Sequence, residues 1–141
     1  MNNILKNIAF ISLFFLFQVH AFSQIDKTMQ VCEKYLVAPF VSDGQEYRAL
    51  LNGDELAEFN VTFYGGSTYR IVACSGIQNG ELLFSIYDRE KNLLFTNKDY
   101  ENAPYWDFNI KSTINLTIEA EFKEKKEGQS GFAIVQIGFK Q

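Results

Sequence analysis

The chain has 141 residues, with 17 Asp and Glu against 13 Lys and Arg, one His, two Cys, two Pro and one Trp. That length suits one ordinary domain, and an apolar share of 47% is too high for a disordered chain. A net charge of −4 argues against a nucleic-acid partner, because phosphate neutralisation needs a basic patch.

Met1 to Ser23 reads as a secretory signal peptide. Lys6 supplies the basic start, Ile8 to Phe17 the apolar run, and Ala21-Phe22-Ser23 the small-residue cleavage pattern, which places the cut before Gln24. The apolar run is well short of the ~20 residues of a spanning helix. A cleaved leader is therefore expected, with no membrane span after it, and a secreted, periplasmic or cell-surface protein. Removing 23 of the 141 residues leaves 118, a single domain over 24–141 with a net charge of −5 once Lys6 is gone. The sole His, His20, leaves with the leader.

Residues 26–37 (DKTMQVCEKYLV) have helical spacing: Met29, Cys32 and Leu36 recur on one face, Asp26 can cap the start, and Pro39 ends the run. Such a helix is expected to plug one open end of a β-sandwich. Beyond the turn signal Asp43-Gly44 the pattern becomes period two. Strands are predicted over Glu46 to Leu51, Leu56 to Tyr64, Thr68 to Cys74, Leu82 to Tyr87, Leu93 to Thr96, from Trp106 through Ile110, Thr113 to Phe122, and Phe132 to Phe139. Asn52-Gly53-Asp54, Gly65-Gly66-Ser67 and Asn79-Gly80 punctuate them, and Asn97 to Tyr105 is a longer loop. Thr68 to Cys74 is apolar on both faces apart from Arg70, as a central strand is. About eight strands between 46 and 139, with no helical period among them, predict an all-β antiparallel jelly-roll-like sandwich with one short N-terminal helix.

The chemistry is read largely by exclusion. A mature chain without His has no imidazole base, no Ser–His or Cys–His pair and no imidazole metal ligand. No cofactor motif is present, and Gly65-Gly66-Ser67 joins two strands rather than a strand and a helix, so it is a hairpin turn and not a phosphate cradle. Carboxylates remain, Glu58 with Glu119 being one pair that a hydrolase could use, although alternation puts both on solvated strand faces. Asp88, Glu90 and Asn92 offer oxygens at alternate positions of one loop, a weak calcium candidate that equally fits a polar hairpin tip. Cys32 and Cys74 either form one disulfide or pack as two buried thiols. Two sequons, Asn60-Val61-Thr62 and Asn115-Leu116-Thr117, lie mid-strand and are read as accidental. The ligand-binding candidates are Tyr100, Tyr105, Trp106 and Asp107, where rings beside acids and amides suit sugar faces and hydroxyls. For Trp106 the alternation with Phe108 and Ile110 favours a core position over a platform.

Gly53 to Phe63 followed by Gly66-Ser67-Thr68-Tyr69-Arg70-Ile71 resembles the opening of bacterial pre-peptidase C-terminal (PPC-like) domains. Leu82 to Asp88 with Asn92-Leu93-Leu94-Phe95 resembles the hairpin of those domains and of GOLD-type sandwiches. The likeness spans about 45–139. It departs where Ile110-Lys111-Ser112-Thr113 replaces the usual glycine-tyrosine step, and in the added helix. Ser42 to Leu51 with Phe63 to Tyr69 also looks like small secreted proteins of Bacteroidota. These resemblances imply an exported, mostly non-catalytic sandwich. The expectation is a non-enzymatic binding or interaction module of the cell envelope, its partner an envelope protein or polysaccharide. The alternatives are a carbohydrate-binding module using the loop aromatics and a small carboxylate-dependent hydrolase.

Overall fold

The computed structural model describes residues 27–76 and 82–140, so the leader, its cleavage site and the Asn79-Gly80 turn lie outside the described residues. The described residues form two antiparallel four-stranded sheets. Their strands in chain order are β1 (Val41–Asn52), β2 (Leu56–Phe63), β3 (Ser67–Ser75), β4 (Leu82–Tyr87), β5 (Leu93–Thr96), β6 (Tyr105–Ile110), β7 (Ile114–Phe122) and β8 (Ser130–Lys140). The front sheet runs β1-β8-β3-β6 and the back sheet β2-β7-β4-β5. Each sheet alternates strands from the two halves of the chain, which is the jelly-roll arrangement of an all-β sandwich.

Alternation builds the core. Ala57, Val61 and Phe63 of β2, Leu116, Ile118, Ala120 and Phe122 of β7, and Leu82, Phe84 and Ile86 of β4 are buried from the back sheet. Tyr69, Ile71 and Ala73 of β3 with Ala133, Val135 and Ile137 of β8 meet them from the front. A second cluster lies on the other face of the front sheet, where Val72, Cys74 and Ile134 pack with Cys32 under Met29, Tyr35 and Leu36. This explains why β3 is apolar on both faces.

The N-terminal segment therefore does not plug an end of the sandwich. It straps the outer face of the front sheet. Among the described residues its helix runs to 33, ending sooner than the spacing implies, and closes in tight turns with Tyr35 N–H on the Cys32 carbonyl (3.0 Å) and Leu36 N–H on Glu33 (3.2 Å). The last turn is exchanged for sheet contacts: Tyr35 reaches Tyr105, and Leu36 packs over Gly138, where a Cβ would collide with it. Cys32 and Cys74 are joined as a disulfide, with Cα atoms 5.7 Å apart, tying the strap to β3.

Two further features differ from the sequence expectation. Asp43-Gly44 is a bulge inside β1, not a turn before it: Ser42 pairs with Gly138 and Glu46 with Gln136, so β1 takes four steps where β8 takes two. Gly44 adopts φ 78°, the left-handed backbone that the bulge requires and glycine accepts freely. In addition, Asn97–Tyr100 forms a 3-10 turn within the stretch read as loop, its start capped by Thr96.

Candidate functional site

The four loop-aromatic candidates do not share a surface. Alternation along β6 sends Trp106 inward and Tyr105 and Asp107 outward. Trp106 lies 4.2 Å from Tyr100 and 5.4 Å from Phe95 between ring centroids, and Phe95 meets Phe108 edge-on at 5.0 Å. These rings close the rim between β5 and β6, the edge strands of the two sheets. Tyr100 caps them, stacked on Phe95 and 46% exposed.

Tyr105 and Asp107 belong instead to the strap clamp. The Arg70 guanidinium donates Nε–H and Nη2–H to the two Asp107 carboxylate oxygens at 2.7 and 2.9 Å, and Nη1–H to the Tyr35 carbonyl at 3.0 Å. Its carbon sits 4.1 Å from the Phe40 ring centre and 4.5 Å from that of Tyr105. The hydrogen bond to Asp107 raises the Arg70 pKa against the opposing effect of burial, so this cation stays charged. Arg70 was the odd polar residue of β3 in the sequence, and its partners are remote in the chain.

The remaining candidates have local roles. Both Asp88 oxygens accept from Asn92, one from its backbone N–H and one from Nδ2, each at 2.8 Å, which closes the hairpin tip and holds the Asp88 pKa below its usual value. These oxygens serve the turn, and among the described residues no three His, Cys, Asp or Glu gather as metal ligands. Glu58 and Glu119 face each other across β2 and β7, with Lys91 Nζ 3.1 and 4.0 Å from them. The cation between them relieves like charges on neighbouring strands of a solvated face. The two sequons are also cross-strand neighbours: Thr62 donates to Asn115 at 2.8 Å and Thr117 to Asn60 at 3.1 Å.

The opposite rim, between edge strands β1 and β2, is bridged by Tyr47 against Phe59, 5.7 Å between ring centroids, and opens beside them. Here lies a cleft of about 590 Å3, within the range of small-ligand sites. Its floor includes Phe63 and Tyr69, stacked at 4.2 Å, and its mouth carries Asp43, Gln45, Tyr47, Asn60 and Tyr64. The bulge aims Asp43 at this cleft. Its Oδ1 accepts the Gln45 N–H at 2.9 Å, and Tyr47 donates its hydroxyl to Gln45 Oε1 at 2.6 Å. Desolvation pushes the Asp43 pKa up against its backbone hydrogen bonds; burial and the Asp43 charge push that of Tyr47 up. Among the described residues no Lys or Arg pairs with Asp43, although most other acids on the strands have a cation. Tyr64 stands beside the cleft, 65% exposed. Sequence reasoning passed over Asp43 because Asp-Gly is so common a turn signal.

No protein-family model and no curated protein matches the chain. Among solved structures, PliG of Aeromonas hydrophila, a periplasmic lysozyme inhibitor of g-type lysozyme, is similar with a TM-score of 0.50 and 8% identity. The match covers 68% of this chain and 85% of that one. At that identity the likeness is one of fold, and the chain shares the sandwich of that protein.

Proposed function

We propose that this chain is an exported, non-catalytic binding module that holds a partner protein of the cell envelope at the β1–β2 rim. The open cleft carries this reading: polar groups from a bulged edge strand converge over a rigid aromatic floor, the usual make-up of a recognition site. The disulfide fits an oxidising compartment outside the cytoplasm. The PliG likeness supports a protein partner, since that protein is an inhibitor of an enzyme. Glu58 and Glu119 share Lys91 on a sheet face, which gives a hydrolytic reading through that pair little to work with.

A carbohydrate ligand is the second reading, favoured by Tyr100, exposed over Phe95 beside Trp106. The test is calorimetric titration against a panel of purified envelope enzymes, a g-type lysozyme among them, and against soluble envelope glycans. Saturable binding to a protein, weakened by Tyr64→Ala and unaffected by Tyr100→Ala, is expected. Binding to glycans alone, weakened by Tyr100→Ala, would move the site to the other rim. Turnover of any substrate by the chain would end the non-catalytic reading.

A further inference from the structure

Resting on that reading, we infer that the β1–β2 cleft takes a guanidinium group, an arginine side chain of the partner, between the Asp43 carboxylate and the neighbouring tyrosine rings. The first observation is charge. Of the residues lining the cleft, Asp43 is the one that is charged, and no lining residue is basic. A carboxylate drawn out of water without a counter-ion is held at a cost that a cationic ligand removes. The raised Asp43 pKa has this desolvation as its largest cause.

The second observation is shape. Tyr47 and Tyr64 border the cleft, and ring faces attract cations, arginine most often. A planar guanidinium can lie against a ring while its fork of N–H donors meets a carboxylate, which a lysine ammonium does less well. The third observation is internal. On the outer face of the front sheet the same combination is already filled: Arg70 lies between Phe40 and Tyr105 and grips Asp107 with two hydrogen bonds. The cleft also has an acid and tyrosine rings in its lining, without an arginine. The net charge of −4 favours approach of a cationic partner.

The test is an NMR titration of the disulfide-intact protein with two capped tripeptides, acetyl-Gly-Arg-Gly-amide and its citrulline counterpart, which has the same shape without the charge. The arginine peptide is expected to shift amide signals around residues 43–47 and 60–69 and to bind about tenfold more tightly than the citrulline peptide, the size of one charge-assisted contact. Asp43→Asn should abolish that preference, and Tyr64→Ala should weaken the arginine peptide. Equal binding of the two peptides, or an Asp43→Asn variant that keeps the preference, overturns the inference. If envelope-protein binding by the parent then still depends on Tyr64, the rim site stands and only its arginine is lost; if it does not, the rim site fails too.

Discussion

Asp43 carries a charge that works against the fold. Its folded pKa lies above its unfolded value, because burial outweighs the hydrogen bonds it accepts. Between the two values the folded chain holds more protons than the unfolded one, so this group makes stability fall as pH rises through that window. Above the folded pKa the penalty is complete. Asp43→Asn keeps the acceptor for Gln45 and removes the charge. It is expected to raise the melting temperature at pH 7 and to match the parent below about pH 3, where both forms are neutral. Calorimetric scans at the two pH values check this. Asn97 is the contrasting case, a buried polar residue that serves the fold alone. It is fully buried, accepts the Phe84 N–H at 3.0 Å, and donates to the Leu82 and Ala103 carbonyls at 3.1 Å each. Asn97→Ala strands two buried backbone groups and one part-buried one, and is expected to cost about 2–4 kcal/mol in denaturant unfolding, with little change in the slope. In the sequence Asn97 is one polar residue among many in the run Asn97 to Tyr105. Nothing local separates an amide that knits β4 to the following loop from one that faces water.

At the scale of elements, the alternating strands were the most legible part. Leu56–Phe63 and Ile114–Phe122 fall within a residue of where the alternation puts them, because a half-buried strand needs only its own side chains to declare itself. The N-terminal strap was legible as a helix but not as a location. Its end depends on Tyr105, Arg70 and Gly138, residues far along the chain, and no local pattern encodes those contacts. The spacing of Cys32 and Cys74 likewise left bridge and free thiols open. The strap has two fasteners, and they should act separately. Reduction of the disulfide, whose cysteines have a sequence separation of 42, is expected to cost about 4 kcal/mol in the chain-entropy model. Arg70→Met removes three charge-assisted hydrogen bonds and two ring contacts, at a cost of about 2–3 kcal/mol. Hydrogen exchange should show amides around 32–36 losing protection in each case, and losing most when both fasteners are removed. Unchanged exchange in Arg70→Met would mean that the clamp merely decorates a strap held by the disulfide and its apolar underside.

For the whole molecule, the asymmetry of the two rims is the main consequence of the fold. A jelly roll has edge strands on both sides, and exposed edges invite pairing unless they are covered. The β5–β6 rim is sealed by Phe95, Trp106 and Phe108 under Tyr100. The β1–β2 rim is bridged by the single pair Tyr47 and Phe59 and opens into the cleft beside it, where a bulge in β1 interrupts its regular edge. The sequence pointed to the sealed rim, because its rings cluster within a few residues. The open rim is assembled from four strands and had no such signature. The most direct measurement is amide-resolved NMR mapping of the parent protein with a partner from the envelope panel. Shifts are expected on the β1 bulge, the end of β2 and the start of β3, with the signals of Tyr100 and Trp106 unmoved. Shifts centred on Tyr100, Trp106 and β5, with the β1 bulge silent, would place binding at the β5–β6 rim and overturn the β1–β2 site.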